Sequence, residues 1–190
     1  MVASFTTGTL NVNGLLDPKN RNSLFCWLKS EKTNVIFLQE THCHSPEIVE
    51  KFKNEWGRDN QSIWSLGTNH SRGVAVLFNF DIDFSIVNVT IDKKYGRFIY
   101  FELVIDDKCF KMINIYALND AKDREDFFSN MNHWIHLPEN NLVGGDFNCT
   151  QDSNLDRFNC CSTSNDDGRN VLWQIMSEKC LEDVWRRGRS

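Results

Sequence analysis

Short apolar segments along this chain alternate between strand-like and helix-like spacing. FTTGTLNV (5–12) reads as a strand. In DPKNRNSLFCWLKSEK, Leu24 and Leu28 stand one helical turn apart, Asp17 supplies a cap and Pro18 suits the first helical position. NVIFLQ (34–39) is apolar almost throughout, as in a strand buried on both faces. SPEIVEKFKNEW repeats the start signal with Ser45 and Pro46, and places Ile48, Val49, Phe52 and Trp56 on one side of a helix.

The texture then changes. QSIWSLG, GVAVLFN, FSIVNVTID, RFIYFELVID and KCFKMINIYAL are strands in close succession, separated by Gly, Asn or Asp turns, with Asp106-Asp107 as a tight hairpin. A helix follows the cap Asp120 and runs through AKDREDFFSNMNHWIH, with Phe127, Phe128, Met131 and Trp134 or Ile135 inward. NLVGGD is a further strand, and DGRNVLWQIMSEKC a last helix bearing Val171, Leu172, Ile175 and Met176. Helical connections at both ends and consecutive strands between them predict an α/β sandwich, two sheets face to face with helices outside.

Composition agrees with a packed protein. Hydrophobic residues make up 41% of the 190 and aromatics 12%, enough for a large core, and the length suits a single domain over 1–190. No apolar run reaches the length of a membrane span, and MVASFTTGTLNVNG lacks the pattern of a secretory signal. The seven cysteines are scattered without a C-x-x-C, a poor disulfide framework that fits a reducing compartment. These features predict an intracellular protein of nucleus or cytoplasm, with no membrane partner. A net charge of −5 argues against coating nucleic acid by bulk electrostatics, but leaves room for an acidic centre that holds a cation.

The chemistry gathers where apolar strands stop. TLNVNG ends on Asn11 and Asn13, VIFLQETH on Gln39 and Glu40, MINIYALND on Tyr116 and Asn119, and LVGGDFN on Asp146 and Asn148. Strand ends are where a rigid layer fixes side chains while loops leave room for a ligand. Carboxylates among carboxamides form an all-oxygen environment suited to Mg²⁺ or Mn²⁺. Such an ion offsets charge on a phosphate during attack, and a carboxylate such as Asp146 is suited to accept a proton from the attacking water. Asn148, Asn11 and Tyr116 are placed to hydrogen-bond the phosphate or to fix Asp146. Gly144 and Gly145 are read as room for close approach of a substrate backbone. His42-Cys43-His44 reads as a loop turning into the helix at Ser45, because three adjacent residues cannot all reach one ion.

With these residues in hand, the sequence resembles the endonuclease/exonuclease/phosphatase superfamily, and more narrowly the endonuclease domain of non-LTR retrotransposons. TLNVNGL, FLQETHC, SRGVAVLF, YGRFIYFEL, INIYALND, DREDFF and LVGGDFNCTQDSNLDR carry the resemblance, in that order. It implies a DNase I-like four-layer α/β/β/α fold of two mixed sheets and a Mg²⁺- or Mn²⁺-dependent endonuclease that nicks DNA. It implies that Asn11 positions phosphate and Asp146, that Glu40 binds the metal with Asn13 nearby, and that Tyr116 contacts the phosphate. Asp146 and Asn148 match the family's G-D-x-N pair, the aspartate activating water or protonating the leaving group. The family pattern continues to a Ser-Asp-His motif that no segment here matches, so the resemblance implies a fold without its last strands. The alternatives are an apurinic-site repair nuclease, a catalytically inactive remnant, and a phosphatase of lipid or inositol headgroups.

Overall fold

Among the described residues are eight strands and five α-helices, and each forms where local chemistry favours it. The computed structural model describes residues 4–57, 61–79, 83–135, 140–150 and 167–187. They fall into two compact units, one made of Met1–Tyr116 with Asn140–Asp146, the other of Ala117–Glu139 with Phe147–Ser190.

In the first unit, β1 (Thr7–Asn11), β2 (Val35–Gln39), β3 (Ser62–Ser65) and β4 (Val74–Phe78) form one sheet in the order β1-β2-β4-β3. The pair β1 and β2 is parallel, the other pairings antiparallel. A second sheet runs β5-β6-β7-β8, from β5 (Ser85–Ile91), β6 (Phe98–Ile105), β7 (Lys108–Tyr116) and β8 (Asn141–Asp146), with only β7 and β8 parallel. Both sheets are therefore mixed, as expected.

Every residue of β2 and β4 is buried, because each face of that sheet is covered. On one face lie α1 (Pro18–Ser30) and α2 (Pro46–Trp56), whose Phe25, Leu28, Phe52 and Trp56 pack on Ile36, Leu38, Ala75 and Leu77. On the other face Phe37, Val74, Val76 and Phe78 meet Ile99, Phe101, Leu103 and Met112 of the second sheet. This unit is thus three layers, helices on sheet on sheet. Asp17 caps α1 by accepting from the Asn20 N–H at 2.7 Å, and Pro18 opens the helix. Asp106 and Asp107 both have left-handed φ, the signature of a two-residue turn matched to strand twist.

Arg21 is a departure from the apolar inner face of α1. Only 1% exposed, it grips Glu55 of α2 through two hydrogen bonds of 2.5 and 2.8 Å, and donates to the Leu15 and Leu16 carbonyls. Its guanidinium also lies 4.3 Å from the Phe52 ring centroid, so one side chain joins both helices.

The second unit holds α3 (Ala121–Met131), α4 (Asp167–Glu178) and the short α5 (Val184–Arg187). Asp120 caps α3 by accepting from Lys122 and Asp123. This helix ends earlier than predicted, because the chain tightens into a 3₁₀ turn over Asn132–Trp134. Phe128, Met131 and Ile135 are buried there with Leu172 and Ile175 of α4. Phe127 and Trp134 are only half-buried. Gly168 sits where an added Cβ would lie 2.7 Å from Arg124 Cβ, so α4 begins hard against α3. The stretch that carries Leu155-Asp156-Arg157 and Cys160-Cys161 lies outside the described residues. Among the described residues no helix is long and apolar enough to cross a membrane.

Candidate active site

Two parallel strand pairs end side by side in the first unit. Asn11 is in register with Gln39, one residue before Glu40, and Tyr116 is in register with Asp146. Face-to-face packing of the two sheets then brings all four strand tips together. Asn11 ties them: its carboxamide Nδ2 donates to Glu40 Oε1 at 2.8 Å and to Asp146 Oδ2 at 3.0 Å. The Asn11 oxygen accepts from the Asn13 backbone N–H at 3.1 Å, which fixes the amide with its donor end toward the two carboxylates. Asn13 thus orders Asn11 through its backbone, in a left-handed conformation with φ 46° that asparagine tolerates.

Tyr116 completes the cluster by sharing a side-chain hydrogen bond with Glu40. Burial, then this bond and the Glu40 charge, push the phenol up to about 12, so Tyr116 stays protonated and able to donate. Burial also raises the Glu40 carboxyl, but the bonds from Asn11 and Tyr116 and the adjacent His42 more than offset it, and the net shift is downward. Glu40 is therefore an anion over the working range of most proteins. Behind the phenol, Arg97 donates to the Tyr116 carbonyl at 3.1 Å, with its guanidinium 5.0 Å from the ring centroid.

The two glycines before Asp146 serve a different purpose from the one expected. A Cβ on Gly144 would lie 2.8 Å from the Phe37 ring, and one on Gly145 only 2.0 Å from the Ile115 carbonyl oxygen. Gly144 admits the facing sheet, while Gly145, at φ 135°, admits the neighbouring strand β7. Both glycines therefore position Asp146 through packing, which corrects their reading as space for a substrate.

Asn148 belongs to the second unit, where its Nδ2 donates to the Ala117 carbonyl at 2.8 Å. Asn119, also in that unit, has its carbonyl bound by the buried Arg124, which bonds the Leu118 carbonyl as well. Gln39 turns inward and is 1% exposed, its Nε2 donating to Asn114 Oδ1 of the second sheet at 2.8 Å. Sequence reasoning passed over Arg97 and Asn114. Asn114 left one signal, a carboxamide within the apolar run of β7.

An anionic carboxylate among carboxamides suits a hydrated divalent cation, since Mg²⁺ commonly takes one or two carboxylates and keeps several waters. Among the described residues no group of three or more His, Cys, Asp and Glu converges as a ready-made cage.

The fold has solved counterparts. An apurinic (AP) endonuclease from Leishmania major superposes with a TM-score of 0.72 at 17% identity, over 92% of this chain and 66% of that one. One from Archaeoglobus fulgidus gives 0.67 at 18%, over 92% and 71%. The D. rerio TDP2 solved with single-strand DNA product gives 0.57 at 16%, over 80% and 63%. The chain thus spans about two thirds of the length of these proteins. Likeness at such low identity shows the architecture alone: two mixed sheets with helices. The family match carries more, because it covers residues 8–188, nearly the whole chain. This chain belongs to the Endonuclease/Exonuclease/phosphatase family.

Proposed function

We propose that the protein is a Mg²⁺- or Mn²⁺-dependent endonuclease that nicks DNA by phosphodiester hydrolysis, that it derives from a retrotransposon, and that it acts inside the cell. The observation that supports this most is the Asn11 amide bridging Glu40 and Asp146. One donor holds a metal-binding carboxylate and a proton-accepting carboxylate at a fixed separation, which in-line attack on phosphorus requires. The retroelement origin rests on the spelling GGDFN followed by LDR.

In this reading Glu40 would hold the cation, with Asn13 beside it. A bound cation would supply Lewis-acid stabilisation of charge on the phosphate oxygens. Asp146 takes a proton from the attacking water, in an orientation set by Asn11. Tyr116, kept protonated, exchanges its bond to Glu40 for one to a phosphate oxygen when substrate enters. Arg97 adds positive charge behind the phenol, its pKa lowered by burial and by the neighbouring Arg72. Asn148 holds the turn after Asp146 through its bond to Ala117.

A second reading, an apurinic-site nuclease, is favoured by the AP endonucleases among the structural counterparts. One experiment tests both. Supercoiled plasmid, intact or bearing abasic sites, is incubated with the protein in Mg²⁺ and in EDTA, beside an Asp146→Ala variant. Metal-dependent relaxation of intact plasmid that the variant lacks supports the first reading. Relaxation confined to abasic plasmid selects the second. A folded protein that relaxes neither would be an inactive remnant.

A further inference from the structure

We propose that the His42 imidazole is a second protein ligand of the cation held by Glu40, making the centre a mixed nitrogen–oxygen site. The inference rests on the reading of Glu40 as a metal ligand and adds a residue that the all-oxygen description leaves out. His42 Nε2 lies 3.6 Å from Glu40 Oε2. That is too long for a hydrogen bond, and the nitrogen is buried with no hydrogen-bond partner. Buried polar atoms nearly always have a hydrogen-bond partner, so an imidazole nitrogen whose polar neighbour is a carboxylate just beyond hydrogen-bond reach leaves room for an ion shared by the two.

The backbone holds the pair in this posture. Glu40 and His42 have left-handed φ of 54° and 56°, a strained conformation for residues of this size. Thr41 between them turns into the core and is fully buried. The segment is pinned on both sides: Gly14 and Leu15 donate to the Glu40 and Thr41 carbonyls, and Thr41 and His42 donate to Gly73 and Arg72. Glu40 and His42 therefore face the same way at alternate positions. Gly14 leaves space for the ring, since a Cβ there would lie 2.8 Å from His42 Nδ1. The neighbouring residues take no part. Cys43 is buried with its thiol pushed up to about 12, and His44 is exposed with its Nδ1 against the His42 carbonyl.

The separation suits an ion. A divalent metal about 2.1 Å from each atom would subtend about 118° across 3.6 Å. An approach of about 0.6 Å would bring this to the right angle of an octahedral site. Ligation needs the tautomer protonated on Nδ1, with the Nε2 lone pair on the metal. An imidazole ligand shifts preference from Mg²⁺ toward Mn²⁺ and its later neighbours.

Electron paramagnetic resonance of Mn²⁺ bound to the full chain tests this without any DNA. The expected spectrum carries hyperfine modulation from one imidazole nitrogen, altered when histidine is labelled with the heavier nitrogen isotope in the unmutated protein. In His42→Gln the modulation disappears and Mn²⁺ affinity falls by at least about tenfold, while Mg²⁺ affinity changes less. Three results would overturn the inference. Mn²⁺ bound in a way that Glu40→Gln abolishes, yet without nitrogen coupling, is the first. Coupling that survives His42→Gln, and so comes from another of the five histidines, is the second. Absence of Mn²⁺ binding altogether is the third. Imidazole coupling in a protein that fails to relax plasmid would support this inference while refuting the endonuclease reading, so the two fail separately.

Discussion

Asn114 makes three hydrogen bonds in the otherwise apolar contact between the two sheets, and truncating it is a direct probe of how the sheets are locked. It is fully buried on β7. Its oxygen accepts from Gln39 Nε2 at 2.8 Å, and its amide donates to the Leu38 and Ala75 carbonyls of the facing sheet at 3.1 and 2.8 Å. Asn114→Ala removes all three bonds among apolar neighbours. Each bond contributes about 1 kcal/mol net, and a buried group left unsatisfied costs about 1–3 kcal/mol. Gln39 keeps a bond to Thr9 Oγ1 at 3.0 Å, which holds the total near the lower end. The expected loss is about 3 kcal/mol. For a chain of 190 residues, that lowers Tm by about 6–12 °C. Denaturant unfolding and calorimetry of Asn114→Ala, Gln39→Ala and the double variant provide the check. Because the two residues share one bond, the cycle should show coupling of about 1 kcal/mol. A loss under about 1 kcal/mol for Asn114→Ala, or additivity within about 0.5 kcal/mol, would refute the argument that this bridge locks the sheets.

Four further substitutions test the packing and the site. Gly145→Ala forces a Cβ toward the Ile115 carbonyl at a left-handed φ, and should destabilise by about 3 kcal/mol or more. Gly8→Ala, whose Cβ would meet only Thr33 Cγ2 at 3.3 Å, should stay within about 1 kcal/mol in the same melts. Tyr116 is one of three tyrosines, and absorbance titration should show one phenol ionising at about 12 that Tyr116→Phe lacks. Because its folded pKa is raised, its contribution to stability is complete below the ordinary phenol value of about 10 and is lost as pH climbs through about 12. The stability gap between parent and Tyr116→Phe should therefore be flat below pH of about 10 and narrow above it. Asn11→Ala removes two exposed charge-assisted bonds, about 1–2 kcal/mol together, and should slow plasmid nicking by about 5- to 30-fold in kcat/KM. Unchanged nicking kinetics would remove Asn11 from the machinery.

Much of this architecture follows from local rules. Asp17 with Pro18, Ser45 with Pro46, and Asp120 sit at the first turns of α1, α2 and α3 because caps and proline act within a few residues. The apolar run Val35–Leu38 of β2 was readable as a strand covered on both sides, since it offers water no polar face. That Asn11, Glu40, Tyr116 and Asp146 are tip residues was equally legible, because each closes a largely apolar segment. The end of α3 was not, since helix termination depends on capping and packing that a periodicity does not encode.

Which residues stand at the ends of strands was a property of the chain alone. Which ends meet was decided by the sheets: a parallel β1–β2 pair, a parallel β7–β8 pair, and a face-to-face contact locked by Gln39 and Asn114. The same contact explains why Gly144 serves packing, whereas Gly145 answers to its neighbour β7 and the buried Arg21 to the contact of α1 with α2. Glu40 and His42, two residues apart, face one another because backbone bonds with Gly14, Leu15, Gly73 and Arg72 pin their segment. Hydrogen bonds and ion coordination act over about 3 Å, whereas Asn11 and Asp146 are separated by 135 residues of chain. Folding alone closes that gap, so the donor between the two carboxylates exists only in the tertiary structure.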